Sequence, residues 1–369
     1  MSAAAAGGPA SALRRDVHPP DPVFPEVHVA SLAEAPNGDL LYAFYGGSAE
    51  ARPDVALYLA RRPAGTQRWE PPVKVYDEPG KAAGNAVLWV DGPTTYLFVS
   101  VIMGRRWTDC ELRMLSSTDH GATWSAPRTI REEWGWVFGS APVRMSNGEV
   151  LVPIYDERTW RAGWYVTGVP DRGGDPYATW TAYPTDPAAW PTSPRGAIQP
   201  ATVELGDGRL LTLLRTRDGL VYRTDSRDFG RTWSVPVPTT LPNPNSRVAL
   251  LGPVDGALVL AYNPLERGRG VLALTVSDDE GYTWSPPVEV ERDLSSEFSY
   301  PYLVRDRAGR LHLGYTHRRR TMRHLEFDLR FARSGGPMAS DDTDGVTEYR
   351  EGDGGARRDV SASCDIVAQ

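Results

Sequence analysis

Six times along the chain a tight-turn dipeptide leads straight into a stretch of alternating or continuous apolar residues. The copies begin at Asn37 (NGDLLYAFYGG), Asp91 (DGPTTYLFVS), Asn147 (NGEVLVPIYDE), Asp207 (DGRLLTLLRTR), Asp255 (DGALVLAYNP) and Ala308 (AGRLHLGYTHR). Asn-Gly and Asp-Gly supply the positive φ angles of a two-residue hairpin turn, so each copy predicts a turn entering a β-strand. The turn glycines, Gly38, Gly92, Gly148, Gly208, Gly256 and Gly309, are spaced 54, 56, 60, 48 and 53 residues apart. A second series ends in tryptophan, at Trp69, Trp124, Trp180, Trp233 and Trp284, with intervals of 55, 56, 53 and 51. Two independent series with one period predict a structural repeat, and its length suits one blade of a β-propeller. The expected fold class is all-β, a six-bladed β-propeller with four-stranded antiparallel blades.

The repeat assigns residues 21–333 to the propeller and leaves 1–20 and 334–369 outside it as flexible tails, the second rich in Gly, Asp, Ser and Arg. Six turns against five tryptophans imply that the last blade is completed by joining the chain ends. The strand near Val27–Phe44 is expected to pair with material near His312–Phe331, removing exposed sheet edges.

Composition narrows the function classes. With 369 residues, 41% of them hydrophobic and 24% charged, the chain can bury a large core. The formal charge of −7 provides no overall attraction to nucleic acid or an anionic membrane surface, and no stretch approaches a membrane span. Cys110 and Cys364 lie far apart, so neither a disulfide framework nor a zinc site is expected. The N-terminal stretch lacks a basic start followed by an apolar run, and a cytoplasmic location is expected. No metal-ligand spacing, phosphate loop or dinucleotide fingerprint occurs, so no metal and no cofactor is expected.

Around three of the tryptophans the pattern is Ser-x-Asp-x-Gly-x-Thr-Trp: Ser117 to Trp124, Ser226 to Trp233, and Ser277 to Trp284. The stretch ending at Trp180 keeps Asp175 and Thr179 but has Tyr177 at the glycine position, and the one at Trp69 keeps little beyond the tryptophan. These three copies resemble the Asp boxes of the sialidase superfamily, and the resemblance runs from about Phe24 to Phe331. Physically the motif reads as scaffold: the carboxylate bonds backbone N–H groups across the turn, glycine permits the reversal, and tryptophan seals the blade edge.

The resemblance implies a site at the propeller axis, with three arginines clamping a substrate carboxylate, a Tyr–Glu pair as nucleophile and activator, and an Asp as acid/base. Arg215, at the end of its repeat, matches the second arginine. Arg269 matches the third, with Arg267 as its alternative. Tyr300 falls at the nucleophile position, with Glu297 three residues before it. Asp54 is the best match to the acid/base Asp, with Arg52 beside it and Glu50 as a rival. Two positions depart from the pattern. His28 stands nearest to the first arginine, and imidazole lacks the bidentate guanidinium fork. Gln199 stands at the activating Glu, and an amide cannot take the tyrosine's proton; Glu297 or Glu157 would have to substitute, or Tyr300 is not a nucleophile.

Polar turns at blade starts add Asn85, Asn243, Asn245, Tyr155, Tyr315 and Arg318 as site candidates. Trp134, Trp136, Trp160, Trp164 and Tyr165 form either a stacking wall over the funnel mouth or ordinary blade packing. The run Arg318–Arg320 reads as a solvated edge. The expectation is a divergent sialidase-like enzyme acting on a carboxylated sugar or similar small anion, by glycoside hydrolysis or a lyase step. The alternatives are a non-catalytic glycan- or protein-binding propeller, favoured by Gln199 and His28, and a repurposed cyclase or isomerase. The expected partner is a small-molecule or glycan substrate, with no nucleic acid and no membrane.

Overall fold

The computed structural model describes residues 10–167, 175 and 177–340. Its strands form six sheets that follow one another in chain order. Blade 1 contains Glu26–Glu34, Leu40–Gly47, Ala56–Arg62 and Val73–Tyr76, and blade 2 contains Ala82–Asp91, Thr94–Ile102, Cys110–Ser117 and Arg128–Arg131. Blade 3 splits its first strand into Trp136–Phe138 and Val143–Arg144, both paired with Val150–Asp156, and continues with Arg161–Thr167 and Trp180–Tyr183. Blade 4 is Ala197–Gly206, Arg209–Thr216, Leu220–Ser226 and Val237–Pro242; blade 5 is Ala249–Val254, Ala257–Tyr262, Val271–Ser277 and Val288–Arg292. Blade 6 opens with Phe298–Arg305, Leu311–His317 and Thr321–Phe327. First strands pack against the first strands of other blades, which places them around the axis. The molecule is a six-bladed β-propeller of antiparallel blades.

Antiparallel pairing sorts the turns between two faces. The six repeated glycine turns join first to second strands, and the three Ser-x-Asp-x-Gly-x-Thr-Trp turns join third to fourth strands, so all of them lie on one face, the base. Second-to-third turns and the links between blades lie on the other face, the mouth.

Closure differs from the sequence expectation. Val27–Phe44 lies in the first two strands of blade 1 itself. The fourth strand of blade 6 is instead Ala12–Asp16, paired antiparallel with Thr321–Phe327, and Met338–Ser340 adds in parallel on its outer edge. The propeller therefore reaches back into the segment read as an N-terminal tail. This five-residue strand is paired on both edges and buries Ala12 and Arg15. The remainder of both tails, residues 1–9 and 341–369 with Cys364, lies outside the described residues.

Each repeated tryptophan packs toward the preceding blade. Trp233 of blade 4 stacks on Trp164 of blade 3 with centroids 3.6 Å apart, Trp180 of blade 3 meets Phe98 of blade 2 edge-on at 5.7 Å, and Trp69 of blade 1 meets His324 of blade 6 at 5.3 Å. Blade 6 has no such tryptophan. The helix Leu329–Ser334, capped by the Asp328 carboxylate on the Phe331 N–H, sinks Phe331 into the cluster that holds Leu272 and Leu274 of blade 5. Phe331 thus does for the last interface what tryptophan does for the others.

Candidate active site

The strands around the axis are bulged at matching places. Their pairing register slips between His28 and Ser31, Gly84 and Val87, Ile198 and Ala201, and Ser299 and Tyr302. At each slip one non-glycine residue holds a left-handed backbone: Val29 (φ 61°), Asn85 (45°), Gln199 (53°) and Tyr300 (52°), with Asn245 (57°) just ahead of the first strand of blade 5. A bulge puts an extra residue into the strand and re-aims its side chain, here at the mouth end of the axis. For a non-glycine residue that backbone costs about 1–3 kcal/mol, less for asparagine, and persists only where the surroundings enforce it.

The re-aimed side chains form one connected network. Arg215 donates from Nη1 to the Tyr300 hydroxyl at 3.0 Å and to Gln199 Oε1 at 3.1 Å, and from Nε to Asn245 Oδ1 at 2.7 Å. Its Nη2 carries no hydrogen bond among the described residues. Gln199 and Asn85 both donate to the Tyr155 hydroxyl, at 3.4 and 3.0 Å. Arg269 lies 5.5 Å from the Tyr300 ring centroid, and its Nη2 donates to the Asn245 carbonyl at 2.9 Å. Seven residues named from the sequence, Asn85, Tyr155, Gln199, Arg215, Asn245, Arg269 and Tyr300, therefore meet at one place.

A second network adjoins it. Arg319 pairs with Glu297 (3.0 Å), Glu26 (3.0 Å) and Glu50 (2.9 Å), and Glu297 also pairs with Arg269 at 3.0 Å. Arg319 donates to His28 Nε2 at 3.2 Å, which makes Nδ1 the protonated nitrogen, donating to Thr316 Oγ1 at 2.9 Å. Burial, reinforced by the Arg319 charge, holds His28 neutral, its pKa well below the usual histidine value. The His28 ring meets Tyr300 edge-on with centroids 4.2 Å apart, but its lone pair is already occupied, which removes it as a base. Arg319 thus sets a guanidinium beside His28, the position at which the resemblance implies an arginine, with its nitrogens engaged by Glu297, Glu26, Glu50 and His28. It lies at the tip of the second-to-third turn of blade 6, in the arginine run read as a solvated edge, where Arg318 and Arg319 both hold a left-handed backbone (φ 56° and 55°). No sequence pattern distinguishes it from Arg318 and Arg320 on the same turn; the contacts with Glu26, Glu50 and Glu297 do.

The carboxylates divide sharply. Burial would raise the Glu297 pKa, but Arg319 and Arg269 outweigh it and hold the group far below the ordinary carboxylate range. Glu157, in the second-to-third turn of blade 3, is pushed up to about 7 by burial, against the opposing pull of Arg215 and Arg217. Of the two proposed substitutes for the missing Glu, only Glu157 titrates near neutrality.

Five sequence candidates fall elsewhere. Asp54 is exposed on its loop and caps Ser48, accepting from its N–H and hydroxyl at 2.8 Å each; Arg52 is exposed beside it. The turn from Gly47 to Ala56 instead presents Glu50 to the axis, held by Arg319 and by Trp107 Nε1 at 2.9 Å. Trp107 can lie over blade 2 because the facing residue is Gly84, where a Cβ would sit 2.6 Å from the indole. Tyr315 is fully buried between blades 5 and 6 and donates to Glu291 at 2.7 Å, because strand alternation points it at blade 5. Arg318 is exposed and pairs with Asp293 at 3.1 Å. Asn243 closes its own turn through Ser246. Of the aromatic segment only Trp160 reaches the site, with Arg217 stacked 3.3 Å from its ring centroid and Arg215 at 5.7 Å. Trp136, Trp164 and Tyr165 are blade packing, and Trp134 is exposed.

Among the described residues no cluster of three or more His, Cys, Asp or Glu has the geometry to hold a metal ion, and no helix is long and apolar enough to cross a membrane.

A family model described as a BNR repeat-like domain matches residues 38–313. Among solved structures, a Hadza microbial sialidase superposes with a TM-score of 0.72 at 20% identity, over 85% of this chain and 68% of that one. The leech intramolecular trans-sialidase, complexed with 2,7-anhydro-Neu5Ac, gives 0.65 at 15% identity, over 85% and 69%. The intramolecular trans-sialidase of Ruminococcus gnavus, in complex with oseltamivir carboxylate, gives 0.66 at 16% identity, over 84% and 96%. No curated protein sequence matches the chain.

Proposed function

The chain belongs to the BNR repeat-like domain family, whose model spans most of it, and on that premise we propose an enzyme that cleaves a carboxylated sugar, or a small anion of similar build, at the mouth of the propeller axis. The observation that carries this reading is the contact of Arg215 with the Tyr300 hydroxyl, with Arg269 across the same ring. A substrate carboxylate set against Arg215 Nη2 gains a charge-assisted hydrogen bond in a water-poor setting. That placement brings the carbon next to it toward the Tyr300 oxygen, whose lone pair supports the positive charge that develops on the carbon as its bond to the departing oxygen breaks, while the phenol keeps its proton. Glu157 is the group suited to move a proton: protonated below about pH 7, it gives one to the departing oxygen, and as a carboxylate it takes one back from the incoming water. The net change is addition of water across the broken carbon–oxygen bond. The sialic-acid ligands of the structural neighbours agree with a substrate of this class.

The test is turnover of fluorogenic sialic acid and uronic acid glycosides by the wild type, Tyr300→Phe and Glu157→Gln. Turnover that falls at least a hundredfold in both variants establishes the reading. A second reading, a glycan-binding propeller without turnover, is favoured by one feature: beside Arg215 stands the amide of Gln199, and among the described residues no carboxylate bonds the Tyr300 hydroxyl. Sugar acids that bind with a measurable heat yet are recovered unchanged would establish that one instead.

A further inference from the structure

Beneath the mouth, the axis contains a small polar cavity that the proposed chemistry does not use. It is lined by Ser140 of blade 3, Ala201 and Thr202 of blade 4, Arg247 and Val248 leading into blade 5, and Tyr302 of blade 6. Its volume of about 10 Å³ is room for one water-sized body and far too small for a sugar. Arg247 is only 2% exposed, and its Nε has no hydrogen-bond partner; the Ser140 hydroxyl, 5% exposed, has none either. Among the described residues the Arg247 guanidinium makes no ion pair, and it lies 5.5 Å from the Tyr302 ring centroid. The groups close enough to act on its charge are three phenols, Tyr302, Tyr300 and Tyr155, and no carboxylate is among them.

Arginine does not shed its proton inside proteins, and a buried charge without a counter-charge costs several kcal/mol. Every other buried cation of the axis, Arg215 excepted, meets a carboxylate: Arg269 has Glu297, and Arg319 has three. A single water would satisfy the Nε–H but would leave the charge uncompensated. We propose that this cavity binds one monatomic anion, chloride under cellular conditions, held by Arg247 and the Ser140 hydroxyl. The anion ties blades 3 and 5 together across the axis and lies below the phenols of the mouth. The site is independent of what the mouth binds or cleaves.

The test uses the full chain. Thermal midpoints are measured in potassium chloride and in potassium gluconate at matched ionic strength, and crystals soaked in bromide are examined for anomalous scattering. The expected result is a saturable rise of about 3 °C in chloride over gluconate, lost in Arg247→Met, together with a bromide peak within hydrogen-bond distance of Arg247. Equal midpoints in the two salts, a chloride effect unchanged in Arg247→Met, or a cavity without anomalous signal overturns the proposal. Should Arg247→Met fail to fold, Ser140→Ala, expected to weaken the chloride effect severalfold, and the wild-type bromide experiment decide it.

Discussion

The two faces of the propeller solve opposite problems with the same backbone conformation. On the base, the left-handed turns pair a glycine, Gly121, Gly230 or Gly281 with φ of 81–83°, with the non-glycine residue before it, His120, Phe229 or Glu280 with φ of 57–62°. The neighbouring aspartates are consumed by the turn itself. Asp228 accepts from Ser226, from the Thr232 N–H at 2.9 Å and from the Thr232 hydroxyl at 2.6 Å, and Asp119 and Asp279 repeat the arrangement. The Ser, Asp and Thr side chains of each turn find their partners within that turn, and the arrangement repeats from blade to blade. At the mouth, left-handed positions carry Asn85, Gln199, Asn245 and Tyr300, and the partners come from other blades. The base is held by hydrogen bonds within each blade, and the mouth by hydrogen bonds between blades.

The strongest way to break that contrast is at Glu157. Glu157→Gln is expected to lower kcat/KM by about a hundredfold or more and to abolish a fall in rate as pH rises through about 7, where the acid form disappears. Thermal melting should show the fold intact. A variant as active as wild type would remove this group from the mouth's chemistry.

On the base, Gly230→Ala should do the reverse. Its φ of 81° disfavours any Cβ, and that atom would lie 2.7 Å from Leu151 Cδ1. The expected loss is about 2–4 kcal/mol in denaturant unfolding, with kcat/KM of the folded fraction unchanged. Asp228→Ala, which leaves the turn amide and hydroxyl unpaired, should cost about 1–3 kcal/mol on the same measurement, again without a kinetic effect. If either substitution altered KM, the base would not be mere scaffold.

The smallest expected effect is a difference in pH dependence. Burial raises Glu157 above its unfolded value of about 4.5, so the stability linked to its acid form is present below that pH and is lost as pH climbs through about 7. Burial lowers His312 and His324, so the stability linked to their neutral forms is present above about pH 6.5 and is lost as pH falls toward their folded values. The two effects oppose each other between pH 5 and 6.5. Removing one side with Glu157→Gln should therefore steepen the rise of stability from pH 5 to 7 by about 1–3 kcal/mol, read from urea midpoints at both pH values. Identical slopes would mean that Glu157 titrates no differently in the folded and unfolded states.

Much of the site was legible because it hangs on repeat register. Tyr300, Arg215, Gln199 and Asn85 each occupy a definable offset from a glycine turn or a bulge, so counting along the repeat finds them. Asp54 and Glu50 lie in one irregular loop with similar chemistry, and local order alone could not tell which faces the axis. The closing strand Ala12–Asp16 was read as a tail because five residues without a turn signal carry no period.

What the linear chain determined by itself is the periodic part: six blades, turns that need glycine, tryptophans at blade edges, and arginines at set offsets. These depend on local backbone chemistry and on spacing, both of which are written along the sequence. The tertiary structure alone decided which charges meet. Arg319 meets His28, Glu297 is held ionised by two arginines while burial raises Glu157, and Arg247 is buried with no carboxylate partner among the described residues, because electrostatic partners are chosen by distance across blades and distance across blades has no period.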